Sequence, residues 1–351
     1  MLYRTEYTHG GDIYTDEILL DFSSNTNPFG PPEAVLNAMK EAVMMAEHYP
    51  DPFCREAVRA ISEHERVPQD HILLGNGAAE LIYSFCAAVR PGSALETAPT
   101  FSEYAAAVKA AGGHTRQYFL RQENGFAPDR DMLTALSRWH HDVFFLCNPN
   151  NPTGGLIDPG LLHEILECCS ERNIRLFLDE CFLDFTGSRS GMSAFLDTYP
   201  NLFILKALTK NYALAGIRVG YCLSSDKDLL QRMAQSVQPW NVSVIAQAAA
   251  AAAMQEEAYL AKTSAMIPAE RARLKTALES FGFWVCPSDA NFLLFRGSSG
   301  LDTALRGEKI AVRNCSDYAG LGPDWYRIAV RLHDENETLI KAIASIMGKD
   351  A

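Results

Sequence analysis

Lys206-Ala-Leu-Thr-Lys210-Asn-Tyr-Ala-Leu-Ala-Gly216-Ile-Arg218-Val-Gly220-Tyr221 follows directly on the apolar run Leu202-Phe-Ile-Leu205. A short continuous apolar run of this kind reads as a strand covered on both faces. The chain leaving it would carry Lys210 to the mouth of a sheet, where ligands of open α/β folds sit. A lysine there can condense with an aldehyde cofactor. Arg218, eight positions on, can grip a phosphate through its guanidinium fork. Taken alone, the segment fits a surface lysine after a strand equally well.

Outward from this segment the same rhythm repeats. Apolar runs at 71–74, 93–97, 115–120, 143–147, 175–178 and 219–223 alternate with helical patterns such as 78–89 and 159–172. That alternation predicts an α/β fold with a mixed, mostly parallel sheet flanked by helices. Toward the ends, 32–45 reads as an amphipathic helix, and an Ala-rich helix is expected from about 248, followed by a charged helical stretch. Short strands are expected at 292–295, 310–312 and 326–330. The organisation predicted is a large domain over 46–250 and a smaller α+β domain built from both termini, 1–45 and 251–351.

Three further strand ends carry candidate chemistry. Leu146-Cys-Asn-Pro-Asn-Asn151-Pro-Thr-Gly154 places an amide, Asn151, where it can bond a phenolic oxygen, although the motif also reads as a plain turn. Arg175-Leu-Phe-Leu-Asp179 puts a carboxylate at the end of a buried strand, where it needs a positive partner such as a protonated pyridine. Asp179 as a cap of the next helix is the alternative. His71-Ile-Leu-Leu-Gly75-Asn-Gly77-Ala78-Ala79 is a strand, a glycine turn and a helix start, whose free N–H groups can seat a phosphate.

Together, these segments resemble the aspartate-aminotransferase fold superfamily, in its threonine-phosphate decarboxylase and histidinol-phosphate aminotransferase branch. The resemblance spans essentially the whole chain and implies a pyridoxal-phosphate enzyme of fold type I, acting as a lyase or an aminotransferase. It implies Lys210 and Asp179 as the catalytic pair: Lys210 linked to the cofactor aldehyde and later moving protons, Asp179 on the ring nitrogen. Asn151 would bond the ring hydroxyl. Gly77, Ala78, Ala79 and Arg218 would hold the cofactor phosphate, with Thr209 counted beside the lysine. Phe101 would stack on the ring, unless it is a plain core aromatic. Tyr49 would reach the phosphate of a neighbouring subunit, implying a homodimer with shared sites.

The sequence departs from the family where Ala207 replaces a serine three residues before the lysine, and where Phe182 replaces a common tyrosine. For the substrate, a small phosphorylated amino acid, the resemblance implies His9, Asn27, Arg313 and Arg327, with Arg313 and Arg327 as clamps for phosphate and carboxylate. A surface position for His9 fits equally well, and Arg331 reads as a surface ion pair. The expected reaction is decarboxylation of O-phospho-L-threonine or a close analogue in making the corrinoid side chain. Histidinol-phosphate transamination is the alternative. A catalytically silent binding module would not need Lys210, Asp179 and Arg218.

Composition narrows the partners. The 351 residues carry 31 Lys+Arg against 43 Asp+Glu, a formal charge of −12. A field of that sign argues against nucleic acid or anionic membrane as a partner. The nine cysteines include no C-x-x-C pair, which points away from a zinc cluster or a disulfide framework. Neither a leader-like apolar stretch at Met1–Glu6 nor a bilayer-length apolar run is visible, so a cytoplasmic protein without a metal site is expected.

Overall fold

The computed structural model describes residues 9–187 and 191–348; Met1–Glu6 lies outside them. Thirteen strands run in chain order as β1 (Leu20–Asp21), β2 (Ile72–Gly75), β3 (Ser93–Ala98), β4 (His114–Phe119), β5 (Val143–Cys147), β6 (Arg175–Asp179), β7 (Leu202–Ala207) and β8 (Gly220–Leu223), then β9 (Trp284–Val285), β10 (Phe292–Arg296), β11 (Ile310–Ala311), β12 (Arg313–Asn314) and β13 (Trp325–Ala329) among the described residues. The large sheet has the order β2-β8-β7-β6-β5-β3-β4. β8 pairs antiparallel with both its neighbours, and the remaining pairings are parallel.

The apolar runs explain this sheet. Phe144, Leu146, Leu176, Leu178, Leu202 and Ile204 enter one core cluster. Their alternates, Val143, Phe145, Phe177, Phe203 and Leu205, enter the other. Side chains alternate across a strand, so a continuous apolar run feeds two cores at once. On the second face Phe85, from the helix Gly77–Val89, packs 4.7 Å from Phe203 and 4.9 Å from Phe177. β4 lies at the sheet edge and is half exposed along its length.

A second sheet, antiparallel in the order β12-β13-β10-β9, comes from the C-terminal part of the chain. β1 pairs in parallel with β11. The run expected at 310–312 is therefore divided: Ile310–Ala311 joins β1, and after Val312 the chain enters the antiparallel sheet as Arg313–Asn314.

The Ala-rich helix begins earlier than expected, at Val244, where the Ser243 hydroxyl accepts the Ala246 N–H at 3.2 Å. It ends at Ala253, and a separate 24-residue helix runs Glu257–Ser280. Ala246, Ala249, Ala250 and Ala253 are buried at helical spacing. Their small side chains let the helices Glu33–Ala42 and Arg55–Glu65 pack closely against this one. The division drawn at 250/251 thus falls inside a continuous helix. Val35, placed by sequence with the smaller domain, shares a core cluster with large-sheet residues.

Glu96 on β3 is 3 % exposed; its Oε1 accepts from Gln117 Nε2 at 3.0 Å, and its Oε2 has no hydrogen-bond partner. Burial pushes its pKa from 4.5 up to about 7. The folded chain therefore retains a proton that the unfolded chain loses above about pH 4.5. Stability from this group is present at low pH and is lost as pH rises through 7. Glu96→Gln is expected to raise the melting temperature at pH 8, by up to about 3 kcal/mol in stability, and to leave it unchanged near pH 4. Thermal melts of both proteins across that range check this.

Candidate active site

The strand registers bring the separate motifs to one edge. Gly75 pairs with Gly220, Gly220 with Ala207, and Cys147 with Asp179. The glycine turn, the Asn151 loop, Asp179, Lys210 and Arg218 therefore lie along the carboxyl ends of β2, β5, β6 and β7 and the start of β8. This is where a ligand reaches side chains from several strands at once.

Asp179 is 5 % exposed. Its Oδ2 accepts the Tyr104 hydroxyl at 2.5 Å, and its Oδ1 accepts the Cys181 N–H at 2.9 Å. Burial pushes its carboxyl above the usual range, and the bonds from Cys181 and Tyr104 pull the other way. Among the described residues no ion pair reaches it, so this buried acid lacks the cation it calls for. A ring N–H bearing positive charge fits that requirement. Sequence reasoning missed Tyr104, which is itself 0 % exposed.

The phosphate seat is defined by what glycine makes room for. Gly77 has φ +81°, and a Cβ there would meet Arg218 Nη2 at 2.6 Å. Arg218 also lies in the left-handed region, at φ +58°, with Nη1 donating to the Ala215 carbonyl at 3.2 Å. No side chain caps the start of the helix Gly77–Val89, which leaves the Ala78 and Ala79 N–H groups available for an anion. A Cβ on Gly220 would lie 3.0 Å from the Ala78 nitrogen, so glycine is needed there too. Ala207 is buried and brings no hydroxyl, and Thr209 is buried beside Lys210. Gly77→Ala is expected to push the guanidinium aside and weaken cofactor phosphate binding tenfold or more. Cofactor titration followed by absorbance measures that loss.

Lys210 lies in the short helix Leu208–Asn211 that follows β7. Burial lowers its amine from 10.5 to about 8, helped by the charges of Arg327 and Arg218. At pH 7 roughly a tenth of such an amine is neutral, far more than for an ordinary lysine, which suits a nucleophile and proton carrier.

Asn27, expected at the substrate, braces this turn instead. Its N–H donates to the Lys210 carbonyl at 2.8 Å. Its Nδ2 donates to the Asn211 carbonyl at 2.9 Å and the Thr263 hydroxyl at 2.8 Å. Its Oδ1 accepts the Phe29 N–H at 3.1 Å. With its amide so committed, Asn27 braces the turn that carries Lys210.

The two arginines expected at the substrate are neighbours in the sheet. Arg313 and Arg327 face each other across β12 and β13. Arg327 Nη1 donates to Asn151 Oδ1 at 2.5 Å and Nη2 to the Ser23 carbonyl at 2.8 Å, while its buried Nε has no partner. Arg327 thereby fixes the Asn151 amide with Nδ2 remaining to donate to a ring oxygen. Arg313 Nη2 sits 2.8 and 2.6 Å from the two oxygens of Asp317, and Nη1 donates to the Asn314 carbonyl at 2.5 Å. His9, Arg313 and Asp317 line one cavity of about 200 Å³. His9 pairs with Glu103 at 2.9 Å, its ring 6.2 Å from that of Phe101.

Phe101 is partly buried and packs edge-on to Tyr104, 5.7 Å between centroids. Phe182 packs edge-on to Phe292. Tyr49 stands apart from this edge, 77 % exposed and stacked on Trp240 at 4.4 Å. Arg331 makes an ion pair with Glu335 at 2.7 Å.

A family model described as aminotransferase class I and II matches residues 17–343. The threonine-phosphate decarboxylase of Salmonella typhimurium is 35% identical over 351 residues, covering 97% of this chain and 96% of the relative. Histidinol-phosphate aminotransferase 1 of Cupriavidus pinatubonensis is 31% identical, with 93% and 87% covered. The crystal structure of the histidinol-phosphate aminotransferase from Clostridium acetobutylicum superposes with a TM-score of 0.87 at 30% identity, covering 94% of this chain and 99% of that one.

Proposed function

Because the chain belongs to the aminotransferase class I and II family, whose enzymes depend on pyridoxal phosphate, we propose that it decarboxylates O-phospho-L-threonine or a close phosphoamino acid. The observation that carries this reading is the register that sets Arg313 directly opposite Arg327 on β12 and β13. Two arginines at directly opposed positions suit a substrate with two anionic groups, a carboxylate and a phosphate. The 35% identity to a threonine-phosphate decarboxylase supports it. So does a relative named as an adenosylcobalamin biosynthesis bifunctional protein, from Leptospira interrogans, 31% identical over 357 residues.

Pyridoxal phosphate, when bound, offers an aldehyde to the substrate amine and a positive ring that draws electrons from whichever Cα bond stands perpendicular to it. The chain's own residues do the rest. Asp179, oriented by the Tyr104 hydroxyl and the Cys181 N–H, would offset the ring charge. Asn151, fixed by Arg327, donates from Nδ2 to the ring oxygen. Ala78, Ala79 and Arg218 hold the phosphate. Lys210 carries the proton at Nζ to and from Cα. Arg327 and Arg313 set the rotation about the Cα–N bond, and so choose between losing a carboxylate and losing a hydrogen.

The reading extends to assembly and place. Tyr49, Val43, Met44, Met45 and Phe53 leave 51–80 % of their surfaces exposed, which supports a homodimer in which Tyr49 reaches the partner's phosphate seat. Among the described residues no helix is long and apolar enough to cross a membrane. The nine cysteines are unpaired thiols, which supports a cytoplasmic setting.

Carbon dioxide release from O-phospho-L-threonine without a keto acid is the expected result. The second reading, histidinol-phosphate transamination, has the 31% relative and the Clostridium structure behind it. Glutamate formed from 2-oxoglutarate and histidinol phosphate, with no carbon dioxide, would replace the first reading by the second.

A further inference from the structure

We propose that Asp317 is a resident counter-ion on Arg313 which a substrate's distal phosphate must displace, so that this one carboxylate sets the affinity for phosphorylated substrates. The inference rests on the reading of Arg313 as the distal anion clamp.

Arg313 and Arg327 occupy directly opposed positions on antiparallel strands, where like charges repel. Arg327 spends its hydrogen bonds on neutral acceptors, the Asn151 amide oxygen and the Ser23 carbonyl. The carboxylate that offsets the pair is that of Asp317, with both oxygens within 2.8 Å of Arg313 Nη2. The two partners differ in burial: the Arg313 side chain is 9 % exposed and that of Asp317 25 %. Arg313 is further held by the Asn314 carbonyl and by the Tyr318 ring, 5.3 Å from its guanidinium carbon. The guanidinium is therefore the fixed member of the pair, and the carboxylate is the member that can turn out into water.

Both groups line the cavity of about 200 Å³ that also contains His9, Ser316 and a second pair of opposite charges, Asp12 and Arg306, 3.9 Å apart and, among the described residues, without an ion pair to Arg313. An anion entering it meets Asp317 on the donors it needs. A phosphate, carrying up to two charges and three acceptor oxygens, can outcompete a single carboxylate for Arg313. An uncharged hydroxyl at the same place cannot. Asp317 thus imposes a charge threshold: it weakens binding of every distal anion and leaves neutral side chains untouched.

The test compares cofactor-loaded wild type with Asp317→Asn and Asp317→Ala at one pH and fixed ionic strength. Calorimetric titration with inorganic phosphate is expected to give a dissociation constant about three- to tenfold lower in both variants. KM for O-phospho-L-threonine should fall by a similar factor, and the affinity for L-threonine should not change. Phosphate affinity that is unchanged or weaker in both variants overturns the proposal, as does an equal shift for L-threonine. The substrate reading fails separately, if wild type does not turn over O-phospho-L-threonine, and the phosphate titration still decides the role of Asp317.

Discussion

Lys210→Ala is expected to lower turnover by at least about 10⁴-fold while the protein still folds and still binds pyridoxal phosphate. The loss is large because one amine does two jobs. On the proposed reading it holds the cofactor aldehyde, and it carries the proton at the substrate carbon. Its low pKa, about 8, arises from burial and from Arg327 and Arg218, so no neighbouring group duplicates it. Arginine at 210 keeps the charge but cannot condense with an aldehyde, so Lys210→Arg should be equally inactive. Cofactor retention is expected because the Gly77–Arg218 seat and Asp179 remain. Steady-state rates and cofactor absorbance, read together, separate these outcomes from simple misfolding.

Asp179→Asn is expected to cost about 10²- to 10⁴-fold in kcat, since an amide cannot hold a positive charge on the ring nitrogen. Its effect on the protein without cofactor runs the other way. Burial raises the Asp179 pKa, so in the absence of a cation the folded state resists ionising this acid. That penalty is absent below the ordinary carboxyl range and grows as pH rises through the folded value. At pH 8 the cofactor-free variant should therefore melt no lower than cofactor-free wild type, while adding pyridoxal phosphate should stabilise wild type more. An acid retained at a cost to the empty protein is the mark of a group kept for its ligand. A variant that is both slow and strongly destabilised without cofactor would mean that Asp179 is structural. The bond from Tyr104 makes the carboxylate a weaker base and so leaves the proton on the ring.

The sheet was legible because its strands obey one rule: both faces are covered, so the residues run apolar without interruption. Val143–Cys147 shows it plainly, all five residues being buried. The gathering of the candidate site residues was legible for a related reason. Residues with no place in a core, Asn151, Asp179 and Lys210, stand immediately after such runs, where strands of one direction must deliver them to one edge. What escaped were pairings between distant segments. Leu20–Asp21 finds its partner 290 residues away, and two residues carry too little pattern to announce a strand. Tyr104 reaches Asp179 from the helix Glu103–Ala110, 75 residues earlier, which spacing along the chain does not encode. Arg313 and Asp317, four apart, look like any surface ion pair until the register sets Arg327 opposite. Asn27, expected at the substrate from the resemblance of its segment, spends its amide N–H groups on Asn211 and Thr263, bonds to distant segments that spacing does not encode.

The central claim is a covalent one, that Lys210 is the amine joined to pyridoxal phosphate. Borohydride reduction of the cofactor-loaded protein, followed by peptide mass mapping, tests it most directly. The reduced cofactor is expected on the peptide containing Lys210, and on no other amine. Labelling of Lys206 or another lysine, or no stable adduct at all, would contradict the account.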